Sequence, residues 1–263
     1  MSEPVLQSRD GAVLTITLNR ADALNALNRP LMEAMRAALA QAAADKTVRA
    51  LIITGAGRGF CSGADLMEPR SGKPATPGQG ISDSMTSHFN PLARDVAYFP
   101  KPVVAAVNGI AAGGGVGLAL AADFVLAARS ASFVQVFTPK LALVPDMGCS
   151  WHLPRLVGRA RARGLALLGD KLSAEDAERW GLIWKCVADE ALTAEASALA
   201  QRLAALPPLA AQRAKQALDA AFDNDLAAQL DLERRYQHEL GDAPDFVEGV
   251  RAFAEKRAPK FGG

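Results

Sequence analysis

The sequence predicts an α/β core followed by an all-helical C-terminal region. Three observations carry this. Short branched-apolar runs alternate with segments of helical spacing, the strand–helix–strand rhythm of an α/β core. Two of those runs, Leu51-Ile-Ile-Thr54 and Val103-Val-Ala-Ala-Val107, each lead into a glycine-rich turn. From Thr193 onward the strand signals stop, and 3.6-residue apolar stripes continue to the end of the chain.

Taken in order, Ala12-Val-Leu-Thr-Ile-Thr-Leu18 alternates with the period of a half-buried strand. After the polar loop Asn19–Asn28, Pro30 sits where a first helical turn tolerates it. Apolar positions 31, 32, 35, 39, 42 and 43 then mark an amphipathic helix ending near Asp45. Val48–Thr54 reads as the next strand. Glu68–Gly80 is rich in Pro, Gly and Ser, the composition of a mobile surface loop, either a lid or a tolerated insertion. Met85, Phe89, Leu92, Val96 and Phe99 give Ser82–Phe99 helical spacing. Around the glycines of Asn108–Gly117, Val103–Val107 reads as a buried strand and Leu118–Asp123 as a small-residue helix. Phe124–Ala128 and Ser132–Phe137 read as two more strands. Ser173 three residues before Asp176 is a helix-start signal, Gly181 ends that helix, and Leu182–Val187 leads into another strand. Ala196–Leu206, Leu209–Phe222 and Asp225–Leu240 are the tail helices, broken at Pro207-Pro208 and Gly241.

Bulk properties exclude several classes. The chain has 263 residues, half of them hydrophobic, and a formal net charge of +1, which gives no electrostatic footprint for nucleic acid. The N-terminus lacks the basic and apolar regions of a secretory signal, and no apolar run is long enough for a membrane span. The three cysteines, Cys61, Cys149 and Cys186, are widely spaced and read as reduced cytoplasmic thiols. The three histidines, His88, His152 and His238, are too scattered for a metal cluster, read as ordinary partly exposed residues, and no metal site is expected.

The chemistry is carried by glycine. Gly113-Gly-Gly115, between a strand and a helix start, either permits tight packing or lets a ligand reach bare backbone N–H groups. No Gly-Lys-Ser/Thr follows, so this is no phosphate loop, and no acidic residue sits where a dinucleotide site needs one. A second turn, Gly55–Asp65, also follows a strand. Two such turns offering amides to one carbonyl oxygen is what an oxyanion hole requires.

Phe60-Cys-Ser-Gly-Ala-Asp-Leu66 and Lys101-Pro-Val-Val-Ala-Ala-Val-Asn-Gly109, followed by the Gly triplet, resemble the crotonase (enoyl-CoA hydratase/isomerase) superfamily. The likeness runs from Leu18-Asn-Arg20 to Phe253–Arg257. Within the superfamily, Leu143-Val-Pro-Asp146, Gly158–Arg163, Leu230–Arg234 and Lys256–Lys260 are most similar to bacterial isomerases of ring-1,2-epoxyphenylacetyl-CoA, enzymes of phenylacetate breakdown. The resemblance implies a crotonase-type ββα spiral core over residues 1–192 and a helical oligomerisation region over 193–263, assembling as a homotrimer or hexamer in the cytoplasm. It implies an acyl-CoA thioester substrate, with no cofactor beyond the coenzyme A that is part of it. The oxyanion would lie between the N–H groups of Ala64 and Gly114. Ala23, Leu24, Ala64, Asp65 and Leu66 would touch CoA, with Arg20, Lys256, Arg257 or Lys260 available to its phosphates.

Hydratases of the family use two glutamates. The matching positions here are Gly117 and, counted without a gap, Thr138, and neither is acidic. The remaining acid is Asp146, behind a rigid Pro and expected among Leu143, Val144 and Met147, where desolvation would raise its pKa. Asp65 is read as satisfying backbone donors after its turn, Asp123 as ending a helix, and Glu68 as poorly positioned in the mobile loop. One carboxylate and one oxyanion hole suit an isomerase better than an enoyl-CoA hydratase. A non-catalytic acyl-CoA-binding protein is the remaining alternative.

Overall fold

A computed structural model describes residues 3–68 and 76–262. The chain opens with an antiparallel hairpin, β1 (Val5–Asp10) and β2 (Val13–Leu18), the latter buried on its inner face. Helix α1 (Arg29–Ala44) follows. Asn28 caps it by accepting from Leu31 N, and Pro30 sits in its first turn. β3 (Ala50–Gly55) and β4 (Gly59–Cys61) come next, then α2 (Pro77–Ser84) and α3 (Asn90–Ala97). β5 (Val103–Val107), β6 (Ile110–Ala112) and α4 (Gly114–Leu120) form the glycine-rich centre. β7 (Phe124–Ala128), β8 (Ser132–Val134), α5 (Cys149–Leu168), β9 (Leu172–Ser173), α6 (Ala174–Arg179) and β10 (Lys185–Val187) complete the core. The tail is α7 (Leu192–Ala204), α8 (Pro208–Ala220), α9 (Leu226–Gly241) and α10 (Pro244–Ala254).

The strands form two sheets. One has the order β1-β2-β3-β5-β7-β10, parallel from β2 onward, and the other is β4-β6-β8-β9. Consecutive strands alternate between the sheets: β3 to β4, β5 to β6, β7 to β8. The chain therefore winds as a spiral of two strands per turn, with helices as the crossovers. Every residue of β5 is buried, as expected of a central parallel strand covered on both faces.

Several expected boundaries move. The helix after the Gly triplet begins at Gly114, so the glycines are its first turn rather than its leader. Ser82–Phe99 is helical but carries a π-helical turn at Met85–Phe89 between α2 and α3. The strand expected over Ser132–Phe137 stops at Val134, because Phe137–Leu141 closes a second π-helical turn. The strand expected over Leu182–Val187 is confined to Lys185–Val187. Of the Pro/Gly-rich loop, residues 69–75 lie outside the described residues, while Pro77–Gly80 are helical with Thr76 as cap. Among the described residues no helix is long and apolar enough to cross a membrane.

α7 buries Leu192, Ala196, Ala200 and Ala204 against the larger sheet. Lys215 ties α8 to the core. Lys215 Nζ donates to Phe99 O (2.8 Å), Lys101 O (3.1 Å) and Asp123 Oδ2 (2.8 Å). Asp123 also accepts from Val103 N at 2.7 Å, so one carboxylate joins the β5 start to the tail. Burial raises the Asp123 pKa, with Lys215 opposing the rise. Lys215→Met leaves that carboxylate enclosed without its cation. We expect a loss of about 2–3 kcal/mol in urea unfolding, the size of a partly buried charged pair broken on one side.

Candidate active site

β4 and β6 are parallel neighbours, with Cys61 paired to Ala111. Each chain leaves its strand within three residues of that pair, so both exits lie side by side at the carboxyl edge of the smaller sheet. Ligands of α/β sheets favour this edge. The two turns touch: a Cβ built on Gly63 would lie 3.2 Å from Gly114 N and 2.7 Å from Ala112 O. Gly63 has φ +90°, which a side chain would disfavour there.

Leu27 forms a single parallel bridge with Ala64. Its N–H donates to Gly63 O at 2.7 Å, and its carbonyl accepts from Asp65 N at 3.0 Å. In such a bridge the middle residue's own N–H faces away from the partner. The Ala64 N–H is thereby turned out of the ladder. Gly114, as the first residue of α4, has no intrahelical acceptor for its N–H either.

The loop 20–26 is laid over this turn. Ser62 N donates to Leu24 O at 2.9 Å and Ser62 Oγ to Ala23 O at 3.2 Å. Arg20 is engaged within this layer: it donates to Asp65 Oδ2 at 2.9 Å and to Ala26 O at 2.5 Å, so it braces the turn. Asp65 also accepts from Met67 N at 3.1 Å, the backbone role expected for it. Leu66, next in line, is exposed. Arg257 is tied up by Glu248 and Glu255.

Asp146 stands at the end of the loop after the second π-helical turn. Its Oδ1 lies 3.5 Å from the position of a Cβ on Gly114, so the carboxylate abuts the start of α4. That oxygen is buried and takes no hydrogen bond among the described residues. Burial pushes its pKa up to about 6. The enclosure differs from expectation: Met147 is buried at 1% exposure, but Val144 at 77% and Leu143 at 38% project outward.

Gly117 explains the missing acid. A Cβ there would stand 2.3 Å from Met147 O and 2.6 Å from Met147 Cβ. The Asp146–Met147 loop thus occupies the space a side chain at 117 would need. Thr138 is exposed and donates to Leu143 O at 3.0 Å, which closes the π-turn loop.

One residue behaves otherwise than the sequence suggests. Glu68 is not adrift: its carboxylate accepts from Arg29 N at 2.9 and 3.1 Å, capping α1. That placement had no clear local signal, since it depends on a distant backbone segment. His152 is partly exposed, as expected, and burial pushes its pKa down to about 4. Cys149 is the neighbour that sequence reading passed over. It is fully buried, donates its thiol to Gly113 O at 3.5 Å, and its N–H donates to Asp146 O at 2.9 Å.

Two strand-end turns in contact, with a desolvated carboxylate beside one of them, form the framework of a crotonase-type enzyme. The enoyl-CoA hydratase/isomerase family model matches residues 8–263. The chain is 49% identical over 263 residues to the 1,2-epoxyphenylacetyl-CoA isomerase of Escherichia coli K12, covering 100% of both chains. It is 47% identical over 248 residues to a probable enoyl-CoA hydratase of Rhodobacter capsulatus, covering 94% and 93% of the two. The crystal structure of an enoyl-CoA hydratase from Bacillus anthracis superposes with a TM-score of 0.91 at 35% identity, covering 98% of each chain. The chain belongs to the enoyl-CoA hydratase/isomerase family.

Installing the hydratase acid should fail for a steric reason. Gly117→Glu is expected to destabilise the fold by about 1–3 kcal/mol in chemical denaturation, the cost of overpacking against backbone. It should add no crotonyl-CoA hydration, measured as loss of enoyl absorbance.

Proposed function

We propose that this enzyme isomerises acyl-CoA thioesters, acting on ring-1,2-epoxyphenylacetyl-CoA or shifting the double bond of an enoyl-CoA. One observation carries the reading. One desolvated carboxylate, with its Oδ1 free of hydrogen bonds among the described residues, abuts Gly114, and position 117, where one hydratase glutamate would stand, is closed by Met147. Hydration needs two acids around one water, whereas a proton shuttle needs one.

In this reading the thioester oxygen sits between the N–H groups of Ala64 and Gly114. Asp146 takes a proton from C2 of a 3-enoyl thioester, and the electron pair is delocalised onto that oxygen as a dienolate. The same carboxyl then returns the proton to C4, giving the 2-enoyl product with no change in formula. Each amide of the hole contributes ~10²–10³ in rate. The aryl epoxide would likewise rearrange at constant mass. CoA would lie over Ala23, Leu24, Asp65 and Leu66, with Lys256 or Lys260 near its phosphates and no further cofactor.

The tail supports an assembled enzyme. Leu218, Leu226, Leu230, Phe246 and Phe253 on the last three helices, and Phe222 between two of them, are all at least half exposed, apolar side chains open to a second copy. We assign residues 193–263 to homotrimer or hexamer formation around a 1–192 core, in the cytoplasm. Hydratase activity is the second reading, favoured by the relative described as a probable enoyl-CoA hydratase.

Product mass separates the two. Isomerisation leaves the mass unchanged with altered absorbance, and a gain of one water overturns it. Asp146→Asn should lower kcat by at least about 10²–10⁴, the range for a positioned base, with CoA-ester binding retained. In the wild type, kcat/KM should rise with pH through about 6 and then level. The same group makes a stability prediction. Its folded pKa lies above its unfolded one, so the folded state holds the proton more tightly. Stability should therefore fall as pH rises from the ordinary carboxylate range to about 6. Asp146→Asn should be the more stable protein at pH 7.5, by about 1–3 kcal/mol in urea unfolding.

A further inference from the structure

The peptide unit between Gly113 and Gly114 has the oxyanion N–H at one end and the Gly113 carbonyl at the other. That carbonyl is more heavily engaged than a helix start requires. It accepts from Val116 N at 3.0 Å, from Gly117 N at 3.5 Å and from Cys149 Sγ at 3.5 Å. The Gly113 N–H is fixed in turn by Val134 O at 2.9 Å. Cys149 adds a second connection, because its own N–H donates to Asp146 O at 2.9 Å. One residue thus holds the carbonyl behind the oxyanion donor and the turn that carries the acid.

The thiol is built to remain a donor. Cys149 is wholly buried, and burial pushes its pKa up to about 12. The Gln135 amide works in the opposite direction, and the Asp146 charge pushes further up. A thiol so held keeps its proton at neutral pH and remains available to donate. Gln135 is itself 2% exposed, and its Nε2 and Oε1 take no hydrogen bond among the described residues. Buried amides are seldom left so, and here the sulfur is its polar neighbour. Hydrogen bonds accepted at one end of a peptide strengthen the donor at the other. A thiol bond is weak singly, but it lies in a dry site where small changes in carbonyl polarisation are felt.

We propose that Cys149 is a positioning residue of the oxyanion hole: its thiol orients and polarises the Gly113–Gly114 peptide, while its backbone N–H sets the Asp146 turn against that peptide. This rests on the isomerase reading of the site, and specifically on Gly114 N–H as an oxyanion donor. Cys149 does not touch substrate; it acts through Gly114.

The probe is cinnamoyl-CoA, whose near-ultraviolet absorbance moves to longer wavelength as its thioester carbonyl is polarised. Spectra of the bound ester are compared for wild type, Cys149→Ala and Cys149→Ser, alongside kcat, KM and the thermal midpoint of each. We expect wild type to show a red shift, Ala to lose a clear part of it, and Ser, which keeps a donor, to retain it. Turnover of Ala should fall about two- to fivefold with KM within twofold, the size of one weak net hydrogen bond, and Ser should recover it. If wild-type protein binds the ester without any red shift, the oxyanion hole itself is wrong and the proposal falls with it. If wild type and Ala give the same shift, the hole stands and the role of Cys149 is overturned. A lower thermal midpoint in Ala with an unchanged spectrum also overturns it, leaving the thiol as packing.

Discussion

The site depends on one piece of backbone register, the parallel pairing of β4 with β6 at Cys61 and Ala111. Because those strands end together, the two turns that follow are forced into contact. The turns that carry Ala64 and Gly114 are thus brought side by side by backbone pairing alone, the arrangement on which the proposed oxyanion hole rests. The first turn is held from behind by Leu27, which consumes the bonding capacity of Gly63 and Asp65 and turns the Ala64 N–H outward. The larger sheet sets the frame in which this happens. Its central strands are buried on both faces, so the smaller sheet has little freedom to slip. A one-residue shift of β4 against β6 would reverse which groups face the hollow.

Two enclosed aspartates in the same core are treated in opposite ways. Asp123 is given a lysine and a backbone donor, and it serves to join α8 to the β5 start. Asp146 is given neither for its Oδ1, and it ends beside a glycine amide. Burial raises the pKa of both, but only at Asp146 is the raised affinity for a proton left uncompensated by a cation. Structural acids are usually satisfied, whereas acids that exchange protons are often held in a poor environment. The contrast within one chain supports the proposed role of Asp146 more firmly than its pKa alone.

Much of the core was legible because its signals are local. Val103–Val107 and Phe124–Ala128 match their strands end to end, Pro30 marks the start of α1, and Ser173 with Asp176 marks α6. The missed elements have distributed or conflicting signals. β1 is an edge strand with five exposed residues out of six, so its apolar alternation is faint. α5 carries Pro154 and breaks at Gly158, which has φ +74°, so its stripe has no continuous period. The π-helical turns add a residue per turn and defeat a count based on 3.6. At the site, the Gly triplet, Ala64 and Asp146 could be named from motif likeness. The bracing of Arg20, the capping by Glu68 and the bond from Cys149 to Gly113 could not, because each joins segments far apart in sequence.

The contact between Gly117 and Met147 has a consequence for how such enzymes diverge. The loop that carries Asp146 lies directly over Gly117, one of the two positions that match the hydratase glutamates. A side chain at 117 and this loop compete for the same space. If Asp146 is the working acid, as proposed, position 117 can accept anything larger than hydrogen only once the loop that carries it has moved. Changing the acid at 117 on this scaffold is then a matter of exchanging the loop along with the residue.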